Sequence, residues 1–252
     1  MRLTPAFFKE RKYVMETSPE FIRSAMLLGT EAEEILKKAH VTVFGAGGVG
    51  GNCIEALSRC GIGNIHITDP DTVSLSNLNR QCAATKEYVG KFKVDSMKAR
   101  IEAVSNCNVT TSRLFVLPEN VETAVPQSTD FIVDAIDTVS AKTALIIYAN
   151  EHNIPIISCM GMGNRIDPTQ IRLGDIFSVN GCPLARTIKK ELRKCSIGSL
   201  PVVYSLEPPK TPLPLEKDPN PRRQTPGSVS FVPPAAGLAM ASFVVKSILN
   251  ME

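Results

Sequence analysis

Residues 40–61 read HVTVFGAGGVGGNCIEALSRCG, and this stretch decides the fold. The apolar residues within 41–44 predict a short strand, and the glycines after them predict a tight turn. The residues that follow have the apolar stripe of a helix, which ends at Gly61. A second strand comes at once in NIHITDPD (64–71). The stretch therefore predicts one βαβ unit of about 30 residues, the usual size of a parallel crossover.

The turn after the first strand has the glycine pattern of a nucleotide-binding loop. Gly45, Gly47 and Gly50 fit G-x-G-x-x-G, and Gly48 adds a fourth glycine. Glycines let the backbone approach a ligand, and the helix behind them directs N–H groups and its positive dipole end at phosphate. Asp69 ends the next strand about 20 residues on, where a carboxylate accepts hydrogen bonds from ribose hydroxyls. Since NAD, FAD and ATP proteins all use this loop, it leaves the nucleotide open.

Strands and helices alternate through the first half of the chain. A helix or helix pair is expected at 20–39, helices at 91–105, 119–125 and 139–152, and strands at 109–115, 131–137 and 154–161. Such strands, apolar on both faces, are typical of parallel sheets covered by helices. The sequence thus predicts a Rossmann-like, doubly wound, mostly parallel α/β sheet.

The second half is less regular. Residues 165–176 predict one or two strands, 184–194 a short basic helix, and 201–209 a strand that runs into a loop. Residues 207–227 hold seven prolines, with Lys210, Lys217, Arg222 and Arg223, and predict a mobile surface loop. Residues 229–232 predict a strand, and a helix begins at the prolines behind it.

The organisation of the chain is predicted to be simple. It shows no internal repeat and no clear linker, so residues 1–252 are expected to form a single domain. A nucleotide-binding half would occupy about 20–160, and an irregular substrate-side half about 161–252.

Composition excludes several classes of protein. With 43% hydrophobic and 21% charged residues the chain reads as soluble and globular, and a net charge of +3 is too weak to prove nucleic-acid binding. Neither a signal peptide nor an apolar run of about 18 residues is found, so a cytoplasmic protein that does not span a membrane is expected. The seven cysteines form no C-x-x-C pair, which disfavours structural zinc and predicts reduced thiols.

Three further segments accompany the glycine loop. They are DPDTVSLSNLNRQ (69–81), VGKFKV (89–94) and DAID (134–137). In order and spacing they resemble the E1-like (ThiF/MoeB/HesA) adenylating superfamily, over essentially the whole chain. The resemblance implies that ATP is the nucleotide, that a substrate carboxylate attacks its α-phosphate, and that pyrophosphate leaves. It also implies a homodimer.

The charged and amide residues of these segments agree with a triphosphate ligand. Arg80 and Lys93 are two cations that would offset its charge, and Asn77 and Asn79 can hydrogen-bond phosphate or ribose. Asp137, at the end of a strand, is placed to hold Mg²⁺. Surface charge is the alternative for the two cations, and helix N-capping is the alternative for Asp137. The predicted cofactor site comprises Gly45, Gly47, Gly48, Gly50, Asp69, Asp71, Asn77, Asn79, Arg80, Lys93 and Asp137.

The predicted catalytic residues are Arg80, Lys93, Asp137 and one arginine from another subunit. In the resembling family, an arginine in a segment like FIRSAMLLG reaches the partner's site. By position it is Arg23 here. The family's other common arginine of that segment is replaced by Glu20, which departs from the pattern.

The second half resembles one branch of the superfamily, which dehydrates N6-threonylcarbamoyladenosine in tRNA. The matching stretches lie at 166–169, 183–194, 202–209 and 227–237, and include Glu-Pro-Pro and Val-Pro-Pro-Ala-Ala-Gly. The implied reaction adenylates the threonyl carboxylate; the ureido oxygen then attacks the activated carbonyl, AMP leaves, and an oxazolone ring forms. No covalent enzyme intermediate is required.

A tRNA substrate calls for a cationic surface. Arg186, Lys189, Lys190 and Arg193 fall on one face of a predicted helix and form a candidate phosphate-binding patch; a solvated helix face is the alternative. Leu184, Ile188 and Leu192 would face inward.

Other functions and partners remain open at this level. A sulfur-relay protein is a possible partner, and Cys182 and Cys195 occupy the region where relatives carry a nucleophile, although buried or incidental thiols are favoured. The main alternative is an adenylyltransferase for the C-terminal glycine of a ubiquitin-like sulfur carrier. A non-catalytic nucleotide sensor and a dinucleotide-dependent oxidoreductase are weaker alternatives.

Overall fold

A seven-stranded sheet forms the centre of the computed structural model, which describes residues 17–215 and 225–251. The strand order is β3-β2-β1-β4-β5-β7-β6. The strands are β1 (His40–Phe44), β2 (Asn64–Thr68), β3 (Asn108–Ser112), β4 (Phe131–Asp134), β5 (Ile156–Cys159), β6 (Ile171–Asp175) and β7 (Pro201–Ser205). All pairings are parallel except that of β6 with β7. The predicted Rossmann-like, mostly parallel sheet is confirmed.

Eight α-helices lie in the described part of the chain. They are α1 (Ile22–Leu28), α2 (Ala32–Lys38), α3 (Gly50–Arg59), α4 (Lys93–Glu102), α5 (Val121–Ala124), α6 (Val139–Glu151), α7 (Pro183–Lys194) and α8 (Val232–Ile248). Short 3-10 turns occur at Pro19–Phe21, Leu75–Asn77, Lys86–Tyr88, Pro168–Gln170 and Ile176–Ser178. Within the described ranges, none of these helices is long and apolar enough to cross a membrane.

The central strands are buried as their apolar sequences predict. Every residue of β4 is buried, as are the last four of β1, because helices cover both faces of the sheet. Helix α8 packs closely on α3: a Cβ on Gly237 would collide with the backbone of α3. This contact brings the first turn of α8 to the glycine loop, where Pro233 lies 3.1 Å from the position of a Cβ on Gly48.

Several predicted boundaries are wrong. The strand expected at 109–115 ends at Ser112, opposite the last residue of β2, because its ladder partner ends there. The strand expected at 131–137 ends at Asp134, and only one strand forms in 165–176. No strand forms at 229–232: Val232 is fully buried and begins α8, because the following prolines suit a first helical turn, where no N–H is needed.

The proline-rich segment is only partly described. Residues 206–215 and 225–231 contain no helix or strand, which agrees with a loop. Lys217, Arg222 and Arg223 lie outside the described residues, as does the N-terminal stretch 1–16.

Candidate functional site

A cavity of about 460 Å³ opens at the carboxyl ends of the central strands. Its walls come from the segments after β1, β2, β3, β4 and β5, together with Leu184, Pro226, Ser228 and Pro233. The strand order reverses between β1 and β4, so this is the topological switch point where doubly wound sheets bind their ligands.

The glycine loop forms one wall of the cavity, but its four glycines have different structural roles. Gly45, Gly47 and Gly48 line the cavity. Gly45 has a φ of +94°, and a Cβ there would lie 2.8 Å from the Ala135 carbonyl oxygen. Gly50 does not line the cavity, and its predicted ligand contact stays a prediction. A Cβ on it would overlap the carbonyl oxygen of Gly45, because helix α3 begins directly against the turn.

Asp69 ties the loop to the end of β2. One carboxylate oxygen accepts a hydrogen bond from the Ala46 N–H at 2.6 Å, and the other accepts one from the Asp71 N–H at 2.9 Å. The side chain lies on the cavity wall and is largely buried. Burial raises the pKa of Asp69, although nearby Lys93 and the two N–H groups partly offset this. Each oxygen keeps a lone pair for a ligand hydroxyl.

Lys93 starts α4 and places its ammonium between two carboxylates of the cavity wall. Its Nζ lies 2.7 Å from an oxygen of Asp71 and 3.9 Å from one of Asp69. The lysine is only 6% exposed, so its charge is poorly screened by water. All three residues line the cavity, and their predicted contact with a nucleotide stays a prediction.

Arg80 and Asn77 also line the cavity, whereas Asn79 does not. The Asn79 amide nitrogen donates to the Ser228 carbonyl at 3.0 Å, and its oxygen accepts from the Arg80 guanidinium at 2.8 Å. The structure does not place Asn79 with the other predicted residues on the cavity wall, and its ligand contact stays a prediction. Asn79 instead fixes Arg80 and joins the nucleotide side of the cavity to the segment before α8.

Two buried polar atoms on the cavity wall suit a polar ligand. Within the described part of the chain, Thr68 Oγ1 and Gln81 Oε1 have no hydrogen-bond partner. Buried polar atoms are nearly always paired, so unpaired ones beside a cavity fit a site that a ligand completes. A nucleotide offers hydroxyl, amine and phosphate groups for this purpose.

Asp137 lies in the loop beyond β4, exposed and on the cavity wall. Helix α6 takes Thr138 as its N-cap, so the capping alternative for Asp137 is wrong. Among the described residues, no group of three His, Cys, Asp or Glu side chains could hold a metal ion. The site therefore fits Mg²⁺ only in its usual nucleotide mode, with one or two carboxylates and the phosphates as ligands.

Arg23 lies outside the cavity of its own chain. It is exposed on α1, and the neighbouring Phe21 approaches Gly61, at the opposite end of α3 from the glycine loop. Within one chain the structure does not bring Arg23 to the other predicted residues.

A buried ion-pair cluster behind the cavity was missed from the sequence. Lys142 Nζ lies 2.6 Å from an oxygen of Asp134 and 3.0 Å from Ser158 Oγ, which in turn donates to the same carboxylate at 2.5 Å. Both charged side chains are fully buried. The other Asp134 oxygen accepts from the Ile136 N–H at 3.2 Å, so the cluster holds the loop that carries Asp137. One signal of this cluster is present in the sequence: Lys142 lies two residues before the apolar run ALIIYA of α6.

Helix α7 buries the face that was predicted to face inward: Ile188 and Leu192 are fully buried. Its basic face is smaller than predicted. Lys189 donates to the carbonyl oxygens of Phe177 and Val179, and Arg193 stacks over the Phe177 ring at 5.5 Å. These contacts direct the charged ends of Lys189 and Arg193 toward residues 177–179 of the same protein.

Neither cysteine of the second half reaches the cavity. Cys182 is buried at the start of α7, and Cys195 is exposed at its end. Cys159 does line the cavity, but burial raises its pKa to about 12, so it is a protonated thiol. These positions favour the reading of the thiols as non-catalytic.

The fold and cavity define a Rossmann-like nucleotide-binding protein whose site gathers a glycine loop, an acidic strand end and two cations. More specifically, the chain belongs to the ThiF family, which residues 21–252 match.

Two proteins with similar sequences have the same name. The chain is 35% identical to the tRNA threonylcarbamoyladenosine dehydratase of Bacillus subtilis, over 92% of this chain and 95% of that protein. It is 39% identical to the Escherichia coli protein of the same name, over 68% of this chain and 64% of that protein.

Solved structures agree. The Escherichia coli tRNA N6-threonylcarbamoyladenosine dehydratase in complex with ATP superposes with a TM-score of 0.82 and 33% identity, covering 92% of this chain and 94% of that chain. A complex of the same enzyme with AMP gives the same TM-score. Escherichia coli MccB, at 20% identity and a TM-score of 0.66, shares the fold.

Proposed function

We propose that this protein uses ATP to dehydrate N6-threonylcarbamoyladenosine in tRNA to its cyclic form. The observation that carries the proposal is the single cavity that gathers the glycine loop, Asp69, Arg80, Lys93 and Asp137 in a chain so similar to named dehydratases. The same cavity continues beyond the nucleotide wall to the end of β5 and to Leu184, which leaves room for an acyl group.

In this proposal the first half of the chain binds ATP. The glycine loop, which precedes the N-terminus of α3, holds phosphate, and Asp69 accepts hydrogen bonds from the ribose. Arg80 and Lys93 offset the charge of the phosphates, and Asp137 is the residue that would hold Mg²⁺. The ion supplies further charge stabilisation when bound.

The reaction needs activation because a carboxylate oxygen is a poor leaving group. The threonyl carboxylate attacks the α-phosphorus, and pyrophosphate leaves. The ureido oxygen then attacks the acyl carbon, and AMP departs with the former carboxylate oxygen. The protein contributes position and charge stabilisation and forms no covalent bond to the substrate.

We propose a homodimer in which Arg23 completes the partner's site. Helix α1 exposes Ile22, Met26 and Leu27, with Leu27 84% exposed. An apolar helix face of this kind is typical of a surface that another chain covers. The substrate would place the enzyme in the cytoplasm, and a sulfur-relay protein remains a candidate partner.

The test uses purified protein, ATP, Mg²⁺ and tRNA that carries threonylcarbamoyladenosine. Gentle digestion and mass spectrometry should show the nucleoside losing one water only when ATP is present. Arg80→Ala and Asp137→Ala should abolish the loss, whereas Arg59→Ala, a surface arginine paired with Glu55 outside the cavity, should not. ATP binding without any change in the nucleoside would reject the proposal and favour a small carrier protein as the substrate.

A further inference from the structure

The loop after β5, residues 160–164, forms part of the wall of the cavity that the glycine loop also lines. Met160, Gly161, Met162 and Gly163 all line the cavity. The loop is fixed at both ends: the Met160 N–H donates to the Val203 carbonyl at 2.8 Å, and the Asn164 N–H donates to the Gly227 carbonyl at 2.7 Å. Both ends of the loop are therefore held by backbone hydrogen bonds to other segments of the chain.

A buried cation lies behind this loop. Arg165 is 4% exposed and donates to the carbonyl oxygens of Gly161, of Gly163 at 3.2 Å, and of Glu207 at 3.0 Å. Among the described residues, no carboxylate lies within salt-bridge distance of it. A buried charge without a counter-charge is costly, so this guanidinium favours a negative group nearby.

The peptide group between Gly161 and Met162 has its carbonyl oxygen on the Arg165 side of the loop and its N–H on the other side. The described chain has no cis peptide, and in a trans peptide the C=O and N–H point in opposite directions. Since the Gly161 carbonyl faces Arg165, the Met162 N–H points away from it. No described residue accepts a hydrogen bond from the N–H of Gly161, Met162 or Gly163. Unpaired N–H groups are rare in buried backbone, and Met162 is only 6% exposed.

There is free space beside the loop at Gly161. A Cβ on Gly161 would meet no heavy atom within 4 Å, whereas one on Gly163 would lie 2.8 Å from Pro226. The open side of the loop at Gly161 is therefore cavity, wide enough for an oxygen atom of a ligand.

We propose that the Met162 N–H, held and polarised by Arg165, is the subsite for the acyl oxygen of the activated substrate. This rests on the proposed function. When the ureido oxygen forms the new C–O bond, the carbonyl electron pair moves to the acyl oxygen. The pair then re-forms the carbonyl and expels AMP, and the ureido N–H proton goes to solvent. A fixed donor stabilises the oxygen most when its negative charge is largest. Arg165 is a positioning residue in this scheme.

Gly161→Ala tests the subsite without removing a contact of the fold. The matched control is Gly198→Ala, because a Cβ there also meets nothing within 4 Å and the residue lies outside the cavity. Calorimetry would compare two probes, AMP and N-acetylsulfamoyl adenosine, which adds one acyl carbonyl to an AMP-like nucleoside. We expect Gly161→Ala to weaken binding of the acyl sulfamate by about tenfold and to leave AMP binding unchanged. A loss of about tenfold corresponds to one charge-assisted hydrogen bond. Gly198→Ala should change neither.

Equal effects on both probes, or no effect on either, would overturn the subsite. Arg165→Lys adds a kinetic readout: the turnover number should fall while the KM for ATP stays unchanged, and a rise in KM alone would contradict a positioning role. The binding arm uses no tRNA. If wild-type protein fails to convert tRNA, the proposed function fails, whereas the probe comparison still decides the subsite.

Discussion

Lys142→Met should destabilise the protein strongly, because it leaves a carboxylate buried without its counter-charge. Both Lys142 and Asp134 are 0% exposed, and their charged atoms lie 2.6 Å apart. Removing one partner of a buried pair costs roughly 3–5 kcal/mol. Asp134 keeps its bonds from Ser158 and the Ile136 N–H, so the low end, about 3 kcal/mol, is expected. For a chain of this size that lowers the melting temperature by about 6–12 °C.

The assay is urea unfolding followed by far-UV circular dichroism, with two comparison variants. Lys142→Met combined with Asp134→Asn removes both charges and should recover about 2 kcal/mol relative to the single variant. Lys98→Met is the surface control, because its pair with Glu102 is 3.8 Å long and its side chain is 45% exposed; it should cost at most about 0.5 kcal/mol. A loss below about 1 kcal/mol for Lys142→Met, or a double variant with additive losses, would refute the buried-charge argument.

Four further outcomes are expected. Gly50→Ala should cost about 3 kcal/mol by melting temperature because its Cβ overlaps a backbone carbonyl. Gly47→Ala should fold normally yet bind ATP less tightly, since its Cβ has no neighbour closer than 4.0 Å and Gly47 lines the proposed ATP cavity. A loss of stability equal to that of Gly50→Ala would contradict this. Cys195→Ala should keep full dehydratase activity, and iodoacetamide at about pH 8 should label Cys195 but not Cys159. Only the thiolate reacts, and burial raises the pKa of Cys159 to about 12, so its thiolate forms only as the pH approaches that value. Lys190→Glu should weaken tRNA binding, measured by filter binding, and should lower the slope of log affinity against log salt concentration by about one ion. An unchanged slope would show that α7 does not contact the tRNA.

Local patterns predicted the part of the molecule that depends on neighbours in sequence. The strand before Gly45, the turn and the helix after it are set by adjacent residues, so β1, α3 and β2 were found with nearly correct bounds. Asp69 was placed for the same reason, because it ends the strand that follows that helix.

Contacts between distant residues could not be predicted. Asn79 has the sequence context of a ligand residue, but its amide bonds Ser228, 149 positions away. Arg165 looks like an ordinary surface cation in its segment, and the apolar run after Lys142 does not name its partners; only the tertiary structure shows how both are buried. Val232 continues an apolar run that suggests a strand, but its burial against the core and the prolines behind it make it the start of α8.

The most direct test of the account follows one oxygen atom. The threonyl carboxylate of the tRNA nucleoside would be labelled with oxygen-18, and the nucleotide products would be analysed by mass spectrometry after one turnover with ATP. Adenylation predicts AMP that carries a single oxygen-18 atom, because the leaving AMP takes a former carboxylate oxygen. Unlabelled AMP, or label in inorganic phosphate together with ADP, would contradict attack of the carboxylate on the α-phosphate.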